Sequence, residues 1–253
     1  MPAVALVPGW GMPASLLAPL GRTLAGSGAM TVPLPGHDGA PMPGAFAVAP
    51  VVTALLERLP PSGVWVGWSL GGQLLLEAAL RRPPRALVLL ATSPRFTAAT
   101  DWPHGVEPEA LGVLRQTCEA SPEAARRRFL GLLAGAGDGA RAVARTIRAA
   151  QQEAGGVESE ALTGGLDVLA ALDLRERLDQ VSCPVLWVMG GADPLMDVAG
   201  ARWAAARMPG ATVAAISGAG HAPFLSHTDA CVTAITAFLA QHGCVGTEYH
   251  GTM

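Results

Sequence analysis

Short apolar runs recur along the chain at 3–7, 30–34, 64–67, 86–91, 184–189 and 212–216. Most are apolar at every position rather than at alternate ones. A strand covered on one face alternates; a strand covered on both does not. The runs therefore read as a parallel sheet with helices on both sides. Stretches with helical spacing fall between them, at 14–25, 51–59, 70–82, 199–208 and 228–242. This alternation predicts an α/β doubly wound fold, a mostly parallel sheet flanked by helices.

One stretch breaks the rhythm. Residues 97–174 hold no strand-like run and are rich in Ala, Arg, Leu and Glu, with Gly135-Ala136-Gly137 and Gly155-Gly156 as punctuation. An insertion of that size predicts a helical lid, 97–174, on a core made of 1–96 and 175–242. Residues 243–253 read as a flexible tail. No internal repeat is visible.

Composition narrows the class. Of 253 residues, 50% are hydrophobic and 15% charged, enough for one large core and too apolar for disorder. The net charge of −3 excludes a globally basic nucleic-acid binder. Four cysteines without a C-x-x-C pair fit a reducing cytoplasm better than a disulfide framework. The first residues lack the basic stretch of a signal peptide, and no apolar run is long enough to span a membrane. Residues 115–148 hold seven arginines against Glu119, Glu123 and Asp138, a local +4 that leaves −7 for the remainder. Such a reversal suits an acidic partner, and equally a solvated face of two amphipathic helices.

The sharpest chemical signal is Gly67-Trp68-Ser69-Leu70-Gly71, with Gly72 after it. It matches G-x-S-x-G between a strand-like run and a helical one, the setting that thrusts a nucleophilic serine out on a tight turn. A serine hydroxyl needs a base, and the base needs a carboxylate to hold its tautomer. In such folds the order is serine, acid, histidine. Asp193 stands in the turn after the run 184–189, and His221 in the loop after 212–216. Asp197 competes with Asp193 but falls inside the next helical pattern, and His227 sits at the start of the last one. The oxyanion needs two donors, assigned to the backbone N–H groups of Leu70 and of Trp10, which lies between two glycines after the first strand. His242, Cys244 and His250 lack metal-type spacing. No metal and no cofactor are expected.

These residues resemble the α/β-hydrolase superfamily. Within it the chain is similar to the pimeloyl-[acyl-carrier protein] methyl ester esterases of biotin synthesis. The matching stretches are Gly9-Trp10-Gly11-Met12, the serine turn, Ala91-Thr92-Ser93-Pro94-Arg95-Phe96 and Asp101-Trp102-Pro103. They continue with Arg128-Phe129-Leu130, Gly164-Gly165-Leu166-Asp167, Asp173-Leu174-Arg175 and His221-Ala222-Pro223-Phe224. The resemblance implies a monomeric, cytoplasmic serine carboxylesterase that cuts the methyl ester of a pimeloyl group on acyl carrier protein. It implies a Ser69–Asp193–His221 triad, Trp10 and Leu70 as oxyanion donors, and an acyl chain lined by Phe129, Leu130, Gly131, Leu132 and Leu133. Arg128, Arg141 and Arg145 match arginines that engage the acidic carrier. Departures are Pro8 where the family has histidine and Ala124 where it has a fourth carrier-facing arginine, with Arg126 and Arg127 nearby as substitutes. The resemblance places a leading hairpin before the first strand that these residues do not supply, so this is either a naturally short member or a chain whose true start lies upstream. The rivals are a generic short-chain esterase or carbon–carbon bond hydrolase with the same triad, and a non-catalytic binding protein of the same fold.

Overall fold

The structure, a computed structural model, describes residues 2–134 and 137–244. It opens with β1 (Val4–Val7), a 3-10 turn (Ala14–Leu17), α1 (Ala18–Ala25) and β2 (Ala29–Thr31). The run predicted at 30–34 is a shorter strand. Val32 still donates to Leu6 O at 2.8 Å, but Pro33 and Pro35 have no N–H to continue the ladder. Next come α2 (Val48–Arg58), β3 (Val64–Trp68), α3 (Leu70–Arg81) and β4 (Ala86–Leu90). The helix α2 begins three residues before its predicted start, because Pro50 falls in the first turn, where no donor is needed.

The insertion is helical: α4 (Pro108–Ala120), α5 (Pro122–Ala134), α6 (Ala140–Glu153) and α7 (Ser159–Ala171). Among the described residues its only β features are isolated bridges such as Thr97 with Val106. Both ends of the insertion meet at one place. Leu174 N–H donates to Pro94 O at 2.9 Å, and Asp173 pairs with Arg95 and Arg175. The chain then completes the sheet with β5 (Val185–Gly190), α8 (Val198–Ala205), β6 (Thr212–Ile216), the single turn α9 (Pro223–Ser226) and α10 (Thr228–Gln241).

The described strands form one sheet of order β2-β1-β3-β4-β5-β6, with every pairing parallel. The four central strands are buried along their whole length, as their unbroken apolar runs require. The edge strands β2 and β6 are partly exposed. After β1 the chain builds outward to β2, then returns to place β3 on the other side of β1. This reversal opens a crevice at the carboxyl ends of β1 and β3, where α/β sheets collect their ligands. Of the predicted tail, Gly243 and Cys244 are held to the core: Cys244 is buried, and Arg85 donates to Gly243 O. Residues 245–253 lie outside the described residues. No described helix is long and apolar enough to cross a membrane.

Candidate active site

Ser69 follows β3 directly, at the crevice. Its backbone is forced to φ 54°, ψ −123°, a region that costs a non-glycine residue about 1–3 kcal/mol. Neighbours hold it there. Ser69 N–H donates to Leu90 O at 3.0 Å, and Thr92 Oγ1 donates to Ser69 O at 2.7 Å. Small residues make room for the turn. A Cβ on Gly71 would sit 2.3 Å from Pro8 O, and one on Gly72 would sit 2.7 Å from Thr92 Cγ2. Ser69 caps α3, whose first N–H groups point back at the site.

The predicted partners converge on it. His221 Nε2 lies 3.0 Å from Ser69 Oγ, and His221 Nδ1 lies 2.8 Å from Asp193 Oδ2. The other carboxylate oxygen of Asp193 accepts N–H bonds from Leu195 and Met196, so the acid cannot rotate away. Both side chains are fully buried, as is required for a carboxylate to fix one imidazole tautomer. The two loops touch closely: a Cβ on Gly190 would meet Gly220 O at 2.2 Å. Trp68, which no local sequence pattern marks, donates through Nε1 to His221 O at 2.8 Å and packs edge-on against Phe224. Asp197 is drawn elsewhere. It caps α8 through Gly200 N–H and bonds His104. His227 stands at the start of α10, as expected, beside Ser226.

The loop after β1 lies against the serine. A Cβ on Gly9 would be 3.0 Å from Ser69 Cβ. Leu70 N–H, at the first position of α3, and Trp10 N–H have no hydrogen-bond partner among the described residues. Trp10 itself is wedged under the lid. Its indole donates to Leu162 O at 2.7 Å, its ring meets Phe129 edge-on, and α7 lies flat on it at Gly165. A residue not singled out from sequence holds the loop from below. His37, fully buried, faces Pro35 O through Nδ1 at 3.0 Å and accepts the Gly11 N–H at Nε2, at 3.2 Å. The next residue, Asp38, accepts the Ala14 N–H. Burial, and then the nearby charge of Arg126, pushes the His37 pKa down to about 4, so the ring is neutral and Nε2 stays an acceptor. The only sequence signal was the turn-forming run Pro35-Gly36-His37-Asp38-Gly39.

The lid closes over this assembly. Phe129, Leu130 and Leu133 are buried on the inner face of α5. Gly131 and Leu132 are not: helical geometry turns them to solvent, which corrects the expectation that the whole segment lines the acyl chain. Next to His221, between Leu133, Val143 and Ala222, a cavity of about 10 Å³ remains, room for about one water. Ser69 is 5% exposed. An ester therefore enters only when lid side chains or helices shift. Arg128, Arg141 and Arg145 are exposed on α5 and α6 and pair with no acid among the described residues. Arg127 is exposed too, whereas Arg126 turns inward.

Three kinds of likeness accompany this geometry. Residues 4–234 match the alpha/beta hydrolase family. A pimeloyl-[acyl-carrier protein] methyl ester esterase of Xanthomonas campestris pv. campestris is 38% identical over 241 residues, 94% of this chain and 95% of that protein. A protein of the same name from Aromatoleum aromaticum is 38% identical over 92% of this chain and 96% of its own length. Among solved structures, an esterase from Exiguobacterium antarcticum superposes with a TM-score of 0.81 at 16% identity, covering 94% of this chain and 91% of that one. A bromoperoxidase from Bacillus anthracis does so with 0.82 at 17%, with the same coverage. Two differently named activities on one architecture show that the fold alone does not select the reaction.

Proposed function

We propose, for a chain that belongs to the alpha/beta hydrolase family, a serine carboxylesterase activity that cleaves the methyl ester of a pimeloyl group on acyl carrier protein. The observation that carries this reading is the hydrogen-bonded series Ser69–His221–Asp193 at the strand ends of a chain 38% identical to esterases of that name.

In this reading Ser69 Oγ attacks the ester carbonyl while His221 Nε2 takes its proton. Asp193 holds the imidazole and stabilises the imidazolium that forms. The Leu70 and Trp10 N–H groups donate to the oxyanion, which is where such donors lower the barrier most. Collapse of the tetrahedral intermediate expels methanol, protonated by His221. Water, deprotonated by the same ring, then attacks the acyl-serine; the acyl–Oγ bond breaks, His221 returns the proton to Ser69 Oγ, and the free acid is released. Phe129, Leu130 and Leu133 cover the acyl chain.

Carrier binding is assigned to the exposed arginines Arg128, Arg141 and Arg145. Complementary charge of this kind steers encounter and rejects wrong partners. A cytoplasmic, monomeric protein belongs to the same reading.

Replacing these three arginines together with glutamine tests it. The expected result is a fall of about ten- to a hundredfold in kcat/KM on the carrier-bound ester, far more than on a short free ester. Equal losses on both would favour a generic esterase.

A further inference from the structure

The guanidinium of Arg126 is out of place on a charged helix face. Its neighbours Arg127 and Arg128 are exposed, yet its own side chain is 11% exposed and lies against the loop after β1. A Cβ built on Gly11 would be 3.6 Å from Arg126 Cγ and 3.9 Å from Nε. Nε is buried and has no hydrogen-bond partner among the described residues. The only acid it reaches among the described residues is Glu123, through NH1 at 3.4 Å, and that carboxylate is largely exposed. Gln151 approaches the same loop from α6, with Nε2 3.4 Å from Gly11 O. Arginine cannot shed its proton, and leaving a buried donor unpaired is costly. The charge also reaches His37, where it adds to burial in keeping the ring neutral.

We propose that Arg126 is a substrate-binding residue that takes an anionic oxygen of the substrate beside the oxyanion loop. This deepens the esterase reading and rests on it for the position of the reacting end. The guanidinium fork fits carboxylate and phosphate alike. The oxygen belongs either to the far carboxylate of a free half ester or to the phosphodiester of a carrier's prosthetic arm. An arginine turned inward against the Gly11 loop thus differs in task from the exposed arginines of α5 and α6, and does not replace the carrier-facing arginine absent at Ala124.

The test compares wild type with Arg126→Met on monomethyl pimelate, on neutral methyl heptanoate and on the methyl-pimeloyl carrier protein. The preference for an anionic over the neutral ester should collapse by about tenfold or more, chiefly through KM, and Arg126→Lys should restore part of it. Collapse on the half ester alone assigns the carboxylate; collapse on the carrier substrate alone assigns the phosphodiester. Equal losses on all three esters would make Arg126 a mere support of the Gly11 loop and overturn the proposal, as would no loss on any. Binding of monomethyl pimelate to Ser69→Ala, with and without Arg126→Met, is measured by calorimetry. A tenfold weaker affinity in the double variant upholds the proposal even if wild type turns over none of the esters, which would break the esterase reading instead. An affinity unchanged for the half ester and, measured in the same way, for the methyl-pimeloyl carrier protein overturns it.

Discussion

On the sheet side the turn at Ser69 is built from glycines and close backbone; on the lid side leucine and phenylalanine are buried over the site, Leu133 beside His221 and Phe129 against Trp10. The sheet side works by close approach. Gly67, Gly71, Gly72 and Gly190 each lie where a Cβ would strike a neighbour at under 3 Å, so there is no slack in which the serine, acid or histidine could wander. The lid side works by coverage. In the lid, α7 packs as closely as the sheet, at Gly164 and Gly165, but on α4 and α5 Gly112 and Gly131 meet nothing within 4 Å, Leu132 is exposed, and beside His221 the inward side chains leave a cavity of only about 10 Å³. Groups that react must be held to within a fraction of an ångström, whereas groups that admit a long acyl chain must be able to yield. In the proposed reading, chemistry belongs to the first region and selectivity to the second.

The comparison breaks most sharply at the serine. Ser69→Ala should lower turnover of every ester by roughly four orders of magnitude or more, because nucleophile and base act as a unit. Labelling by a fluorophosphonate, measured as a mass increment on wild type and its absence on the variant, checks the same residue and excludes a non-catalytic binding protein.

Next is the support of the oxyanion loop. His37→Leu leaves the Gly11 N–H buried without a partner and should lower kcat about ten- to a hundredfold on carrier-bound and free esters alike. His37→Gln, which keeps an acceptor, should lose less. A loss confined to carrier-bound ester would place His37 with the lid instead.

Acid should act through the same ring. His37 is about 4 in the folded chain and 6.5 when exposed, so the unfolded state binds the extra proton first. Its contribution is intact above pH 6.5, declines as pH falls toward 4, and is then fully lost, on the order of 3 kcal/mol. Denaturant midpoints measured between pH 7 and pH 4 should fall more steeply in wild type than in His37→Leu.

The smallest effect belongs to the lid surface. Added salt should weaken kcat/KM on the carrier-bound ester several-fold while barely moving that of a short ester. Replacing Arg128, Arg141 and Arg145 should flatten the dependence.

The sheet side was the more legible in sequence for physical reasons. Strands buried on both faces must be apolar throughout, so β1, β3, β4 and β5 announce themselves. The serine turn needs glycine at Gly67, Gly71 and Gly72, and Asp193 and His221 follow the ends of β5 and β6. What escaped was contact between segments far apart in the chain. His37 meets Gly11, and Trp68 meets His221, through side chains whose direction no local pattern records. The lid was legible as a helical insertion. Its register was not, because α5 is charged and apolar in close succession, and only the fold shows that Phe129 turns inward while Leu132 turns out and that Arg126 follows the former.

The central claim is that Ser69 removes a methyl ester from an acyl group borne by a carrier protein. Incubating methyl-pimeloyl-acyl carrier protein with the purified chain, and weighing the carrier by intact-protein mass spectrometry, tests it most directly. The carrier should be lighter by one methylene with wild type and unchanged with Ser69→Ala. An unchanged carrier, in the same preparation that cleaves a short p-nitrophenyl ester, would contradict it.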